Sequence, residues 1–269
     1  MHLSKEEQIM YNHFDDMYNL ADRRGIPVFS DFVSLNEVNL VYMLLEEKGI
    51  NRQIQDEYLY VFGGYDQAER NMVCFRPQNS YQEIEEKDFP IACVRIAPVN
   101  KKFCDALTHR DYLGTIMNIG LERNQIGDIV VKNEGNGKND AFVAYVFCRK
   151  NKAELLTDIT RIRHTTVSAE IIEGTEISFE QQYKEIAGSV SSLRIDSIIS
   201  VAAKTSRTKS LTYIREGNVF LNGRCCTENA KIVSEGDVIS IRGFGKYKIG
   251  ETGAVTKKGR YHVTVLQYI

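Results

Sequence analysis

The residues best able to bind a polyanion are concentrated near the C-terminus of this 269-residue chain. Residues 180–269 carry 14 Lys and Arg against 8 Asp and Glu, a net charge of +6, whereas residues 1–179 carry −8. Lysine and arginine neutralise phosphate groups, and a basic module beside an acidic body is typical of a protein that meets nucleic acid with one part only. The overall charge of −2 conceals this asymmetry.

Histidine and cysteine do not form a pattern for metal binding or nucleophilic catalysis. The six cysteines include no Cys-x-x-Cys pair, and the five histidines are scattered. We therefore expect free thiols in a reducing compartment and no metal, cofactor or catalytic residue. His109 begins a predicted helix, where we interpret it as a local cap or interdomain contact rather than a general base.

Two predicted helices carry the cationic side chains of the basic segment. The first runs from about Ser192 to Lys204, and the second begins after the N-cap Ser206 and ends at Gly217. The buried stripe of the first helix has i, i+3, i+4, i+7 spacing and comprises Ile195, Ile198, Ile199 and Ala202. Four cationic residues flank the junction between the helices: Arg194, Lys204, Arg207 and Lys209. The backbone amides at the start of the second helix can also donate hydrogen bonds to a phosphate there.

A small sheet is predicted after the helices. Asn222-Gly223 separates two apolar runs, which is the strongest short hairpin signal, and Arg224 follows it. Further strands are expected at 238–242 and 261–268. Asp196 is expected to orient an arginine or to cap its helix rather than to contact a ligand.

The rest of the chain predicts two further α+β segments. The first has helices at 4–25, with a Ser4/Glu7 capping box, and at 36–48, followed by strands at 58–62 and 72–75. The second has the order β-α-β-β-α-β, which is typical of ferredoxin-like and RNA-recognition folds. Its predicted elements lie at 91–97, 105–119, 128–132, 141–148, 150–163 and 165–172. A polar linker is predicted over 174–188.

Aromatic residues stand on the third predicted strand of the middle segment. Alternation places Tyr145 and Phe147 on one face and Phe142 on the other. The glycines and the basic residue of an RNA-recognition signature are missing here, so we interpret these aromatics as core residues packed under the helices. The predicted fold class is thus α+β with three small domains: an N-terminal α+β domain (1–75), a ferredoxin-like or RRM-like middle domain (76–180) and a C-terminal domain (181–269).

Apolar runs such as 40–45 are far shorter than a bilayer span, and the polar start of the chain has no signal core. We therefore expect a cytoplasmic protein without membrane insertion.

Ordered motifs in the basic segment carry a family resemblance. Four motifs in this order resemble the S4-type RNA-binding domain: Leu193-Arg194-Ile195-Asp196, Ser206-Arg207, Asn222-Gly223 and Glu235-Gly236-Asp237. Three stretches of the middle segment resemble the signature of the YlmH family of bacterial S4-domain proteins; they are residues 108–114, 120–123 and 126–129. Ile195 stands where that family usually has Leu, a conservative change.

The resemblance implies a function. It implies a non-enzymatic factor that binds ribosomal RNA, and tRNA, on a large ribosomal subunit in ribosome-associated quality control, supporting the tailing of stalled nascent chains. The candidate RNA-binding residues are Arg194, Ser197, Lys204, Ser206, Arg207, Lys209, Arg215, Asn222, Gly223, Arg224 and Arg242. Structured RNA is the expected ligand, since the module has few stacking aromatics.

Two other function classes remain open. The acidic body (1–179) could bind a protein partner, for example one related to cell division, and the basic module would then tether an adaptor to RNA. An RNA-modifying enzyme is less well supported, because S4-linked pseudouridine synthases place a long catalytic domain after the S4 module. The glycine turns at 135–137 and 243–245 precede no predicted helix, which argues against a methyltransferase.

Overall fold

The chain forms two compact units, residues 1–178 and 179–269. The computed structural model describes residues 3–51, 53–66, 68–77, 83–100, 104–134, 141–172, 183–255 and 259–268. The N-terminal and middle segments therefore fold into one unit, and the boundary expected near residue 75 stays a prediction.

The N-terminal segment is a pair of helices on a small antiparallel sheet. Its elements are α1 (Lys5–Arg24), β1 (Val28–Phe29), α2 (Leu35–Glu47), α3 (Gln55–Tyr58), β2 (Leu59–Phe62) and β3 (Met72–Phe75). The strands have the order β1-β3-β2 in the sheet. The predicted Ser4/Glu7 capping box is present, and Gly25 ends α1 with a left-handed φ of 64°. Phe14, Val41 and Phe75 are fully buried at the centre of this core.

The middle segment has the predicted ferredoxin-like topology. Its elements are β4 (Ile91–Pro98), α4 (His109–Asn118), β5 (Ile126–Asn133), β6 (Phe142–Arg149), α5 (Ala153–Thr157), β7 (Arg161–Ile162) and β8 (Thr165–Ile172). The antiparallel sheet has the order β5-β6-β4-β8-β7. The short strand β7 extends the edge beyond the four strands that define the fold.

The second helix of the middle segment is much shorter than predicted. Instead of running over 150–163, α5 ends at Thr157 and the chain turns into β7. Arg163 adopts a left-handed φ of 54°, which turns the chain so that Ile162 pairs with Thr165. Ile159 and Ile162 enter the core from this turn, so apolar spacing that suggested a helix comes from a loop and a strand.

Two of the three β6 aromatics, Tyr145 and Phe147, do not pack under the helices as expected. Val146 faces the helices, so alternation places Tyr145 and Phe147 on the opposite face of the sheet. Phe147 is buried there because its ring stacks on Tyr65, with centroids 4.8 Å apart. The N-terminal segment therefore covers part of this face.

The second unit packs two helices on a six-stranded antiparallel sheet. Its elements are β9 (Tyr183–Val190), α6 (Ile195–Ala202), α7 (Arg207–Arg215), β10 (Val219–Leu221), β11 (Arg224–Cys225), β12 (Val238–Ile241), β13 (Gly245–Val255) and β14 (Tyr261–Tyr268). The sheet order is β11-β10-β12-β13-β14-β9. The predicted stripe of α6 is buried against Val263 and Val265.

The predicted linker is wrong over 183–188, which belong to β9. This edge strand pairs with β14 along its whole length, from Tyr183↔Tyr268 to Val190↔Tyr261. A cross-strand partner some 80 residues away gives a polar segment its strand structure, and local sequence does not reveal it. The rest of the predicted linker, 174–182, lies outside the described residues. Within the described parts of the chain, no helix is long and apolar enough to cross a membrane.

Candidate nucleic-acid interface

A buried carboxylate organises the junction between α6 and α7. Asp196 is only 1% exposed, yet it accepts hydrogen bonds from two arginines. Arg194, the N-cap of α6, donates from Nε and Nη2 to the two carboxylate oxygens, each at 3.2 Å. Arg207, the first residue of α7, donates from Nε to Oδ2 at 3.0 Å. The prediction that Asp196 orients arginine is confirmed.

The arrangement fixes two cations while leaving them accessible. The side chains of Arg194 and Arg207 are 32% and 50% exposed. A guanidinium carries five N–H donors, and Asp196 occupies only the inward edge of each. A single carboxylate neutralises one of the two charges, so the junction keeps net positive charge and outward donors suited to phosphate oxygens.

The other predicted residues of the junction differ in accessibility. Lys204 and Lys209 are exposed, and Lys204 occupies a left-handed turn with φ 47°. Ser206 caps α7 by accepting the amide of Lys209 at 3.3 Å. Ser197 is buried, and its hydroxyl donates to Asp196. The structure thus gives Ser206 and Ser197 supporting positions next to the cations.

The predicted hairpin is present, and the side chain of Asn222 stabilises it through hydrogen bonds. Asn222 and Gly223 have positive φ values of 49° and 77°, as the mirror-image hairpin turn requires. The Asn222 side chain accepts the amide of Val238 at 2.8 Å and donates to Asp237 at 2.9 Å. Asn222 therefore ties the hairpin to the start of β12, and Arg224 follows on β11.

Arg215 and Arg242 belong to a different end of the sheet. Both are exposed, and the amide of Arg242 donates to Asn218, which follows α7. Asn222 lies beside the first residue of β12 and Arg242 follows the last, so the two are about 13 Å apart along the strand. The structure thus distributes the eleven predicted residues over the junction and two opposite ends of β12.

The face of the middle sheet that lies opposite its helices offers less positive charge to a ligand than the α6–α7 junction does. Arg95 on β4 pairs across the sheet with Tyr145 and Glu170. Its guanidinium contacts Glu134 at 2.7 Å and Glu170 at 3.2 Å, while the Tyr145 hydroxyl donates to Glu134 at 2.6 Å. Two carboxylates hold one arginine here, whereas one carboxylate holds two arginines at the α6–α7 junction, so the junction is the better phosphate site.

Polar contacts fasten the N-terminal segment to β5. Asp128 accepts hydrogen bonds from the Tyr65 hydroxyl at 2.8 Å and from the backbone amide of Glu69 at 2.7 Å. The Arg70 guanidinium donates to the carbonyls of Phe32, Arg123 and Ile126. Partial burial lowers the pKa of Arg70, and burial together with nearby Arg70 lowers that of Arg123 to about 10. Arg123, Ile126 and Asp128, which belong to the family signature at 120–123 and 126–129, thus join the two segments of the first unit.

His109 lies near this junction of segments. Partial burial and then the charge of Arg123 lower its pKa, so the imidazole is mainly neutral at pH 7. The predicted cap role of His109 is wrong, because Thr108 is the N-cap of α4 and forms a capping box with Asp111. The interpretation of His109 as an interdomain contact stays a prediction.

The thiols and acids of the described residues form no metal centre. Among those residues, no group of three His, Cys, Asp or Glu side chains is arranged to hold a metal ion. All six cysteines lie in the described ranges, and none is in a disulfide.

Two family models match the chain. "Putative RNA-binding domain in YlmH" matches residues 85–176, and "S4 domain" matches residues 193–239. With the helix pair on its sheet and the exposed arginines, these matches define an S4-domain RNA-binding protein. A relative in Bacillus subtilis (strain 168), "Ribosome-associated protein quality control protein P2", is 32% identical over 203 residues, which cover 75% of each chain. The chain belongs to the YlmH family.

A solved structure is also similar. It is described as "Cell division protein ylmH from Streptococcus pneumoniae", is 24% identical, and aligns with 65% of this chain and 96% of that one at a TM-score of 0.49.

Proposed function

We propose that this chain is a non-enzymatic, cytoplasmic factor that binds the large ribosomal subunit in ribosome-associated quality control and supports the tailing of stalled nascent chains. In this proposal the S4 domain contacts ribosomal RNA, and tRNA held on the subunit. The observation that carries the proposal is the pair of exposed arginines fixed on buried Asp196, in a chain whose relative is named for ribosome-associated quality control.

The geometry of the junction favours structured RNA. Arg194 and Arg207 are held in place before binding, so less side-chain entropy is lost when they meet phosphates. A rigid set of cations on a small folded surface suits a backbone of defined shape, such as an RNA helix. The predicted residues outside the junction extend the contact to the two ends of β12; they are Arg215, Asn222, Gly223, Arg224 and Arg242.

Co-sedimentation with separated ribosomal subunits tests the proposal. The informative variant is Arg207→Ala/Lys209→Ala, because Arg194 remains to neutralise buried Asp196 and the fold is preserved. Lys5→Ala/Lys184→Ala is the matched control, since it removes the same charge from exposed residues of α1 and β9 and leaves α6, α7 and residues 238–248 unchanged. At fixed salt we expect wild type and control to follow the large subunit and the Arg207/Lys209 variant to remain in the supernatant.

Other outcomes contradict the proposal. Wild type that stays in the supernatant, or that follows the small subunit, overturns large-subunit binding. Equal losses in both double variants show that charge alone attracts the chain and that the junction is not the site. Binding lost only when residues of the acidic body are changed supports the adaptor alternative.

A further inference from the structure

The hairpin between β12 and β13 presents an aromatic ring outside the segment matched by the S4 model. Phe244 stands at its tip between Gly243 and Gly245, whose φ values of 81° and 111° form the tight turn. The ring is 38% exposed, whereas most large apolar side chains of this unit are buried. An exposed aromatic ring at a hairpin tip is available to pack against a ligand.

The backbone of Phe244 is fixed on both sides. Its amide donates to the carbonyl of Ile241 at 3.0 Å, and its carbonyl accepts the hydroxyl of Tyr247 at 3.1 Å. Tyr247 is itself 2% exposed and belongs to the core. The ring is therefore presented by a rigid turn, which limits the entropy lost when something packs on it.

Phe244 also continues the surface of α7. Its ring lies against Tyr213, with centroids 5.1 Å apart and ring planes at 58°. Tyr213 follows Lys209 by four residues, so both lie on the same face of α7. A strip thus runs from Lys209 through the two rings to Arg242, which precedes the tip.

The charged side chains of α7 and of the hairpin are all basic, and Glu216, which follows α7 and accepts a hydrogen bond from Asn218, is an acid beside them. Residues 207–215 of α7 contain Arg207, Lys209 and Arg215 and no acidic residue. Residues 238–248, which form the hairpin, likewise contain only basic charged residues. Rings beside cations are the combination that binds nucleic acid outside a duplex, because bases stack on the rings while cations meet the phosphates.

We propose that Phe244, supported by Tyr213, stacks on an unpaired base of the RNA whose phosphates contact Arg242 and α7. This subsite rests on the proposed RNA-binding role and gives it a preference for helices interrupted by a bulged or flipped base. It differs from the sequence-based expectation of a module with few stacking aromatics, because the structure brings Tyr213 and Phe244 together from separate elements.

Two RNA hairpins with a common stem test the subsite in the full-length chain. One carries a single unpaired 5-iodouridine in the stem, and the other is fully paired. Dissociation constants are measured by fluorescence anisotropy at one salt concentration. We expect wild type to prefer the bulged hairpin, and Phe244→Leu to lose about five- to tenfold affinity for it while binding the paired hairpin unchanged, since the stacking contact of one base is lost.

Two controls separate stacking from folding. Phe244→Tyr keeps the ring and is expected to bind as wild type. Tyr183→Leu disrupts another ring pair of the same unit, Tyr183–Tyr268, and is expected to leave the preference intact. Irradiation of the iodouridine complex is expected to cross-link the base to Phe244 or Tyr213, as mapped by peptide mass spectrometry.

The outcomes distinguish this inference from the proposed function. Phe244→Leu that keeps the wild-type preference, wild type without a preference, or a cross-link elsewhere overturns the base subsite and leaves RNA binding standing. Wild type that binds neither hairpin nor ribosomal subunits overturns both.

Discussion

Replacing Asp196 with Asn separates the positioning of cations from their number. The substitution adds one unit of positive charge to the domain, and charge alone would strengthen RNA binding. In the structure, however, Asp196 is the carboxylate that holds Arg194 and Arg207. An amide leaves one acceptor and turns an NH₂ group toward a guanidinium, so the arginines lose their common anchor.

The magnitude follows from the side-chain entropy that binding must remove. Ordering a long side chain on binding costs about 0.5–1.5 kcal/mol, so two released arginines cost about 1–3 kcal/mol, which is a loss of roughly fivefold or more in affinity. Hydrogen bonds to charged groups contribute about 1.5–3 kcal/mol each when shielded. Because the guanidiniums are 32% and 50% exposed, we discount this for solvent screening and expect a stability loss of about 1–2 kcal/mol.

The assay compares Asp196→Asn with Glu235→Gln by fluorescence anisotropy on one RNA. Glu235 is an exposed acid of the same domain, so its substitution changes the net charge equally without touching the junction. We expect Glu235→Gln to bind as tightly as wild type or more tightly, and Asp196→Asn to bind at least about fivefold more weakly. If the two variants bind alike while both remain folded by circular dichroism, the positioning argument is refuted.

Three further predictions concern affinity, packing and thiol chemistry. If four to six phosphate contacts dominate binding, log K falls with log salt at a slope of roughly −4 to −5, and a flat response in a salt titration contradicts this. Gly188→Ala places a Cβ 2.5 Å from Val201 Cγ1 and is expected to cost about 1–3 kcal/mol in urea unfolding, while Gly253→Ala, with its nearest contact at 3.4 Å, stays within about 0.5 kcal/mol. Burial raises the pKa of the thiols of Cys74, Cys93 and Cys148 to about 12, so at pH 8 iodoacetamide should label half-buried Cys104 before them. The free energy of unfolding should also fall as pH rises from about 9 toward 12, because in that range the three thiols ionise only in the unfolded chain. Uniform labelling in the native state would contradict that order.

Local signals predicted the elements whose causes are local. The Ser4 capping box, the Asn222-Gly223 turn and the apolar stripe of α6 are each complete within a few residues, and each is present as expected. The β-α-β-β-α-β order likewise follows from elements separated by clear turns. The orienting role of Asp196 was also predictable, because arginine two residues away offers a nearby partner.

Elements whose causes lie elsewhere in the chain were not predictable. β9 is a strand because β14 pairs with it, and its polar residues carry no such signal. The burial of Phe147 depends on Tyr65, which is 82 positions away. The contact between Tyr213 and Phe244 depends on how a helix end meets a hairpin tip, so the residues 243–245 suggested only a glycine turn.

The cover over Phe147 has a consequence for dissecting this protein. The N-terminal segment behaves as a built-in occupant of the sheet face on which RNA-recognition folds stack bases, and it fits so closely that a side chain at Gly64 would lie 2.4 Å from the Phe147 ring. A fragment beginning at Glu83 would uncover Phe147 beside Tyr145. Any RNA affinity measured on such a fragment would then describe an artificial aromatic platform, and the intact chain is the proper subject for mapping where RNA binds.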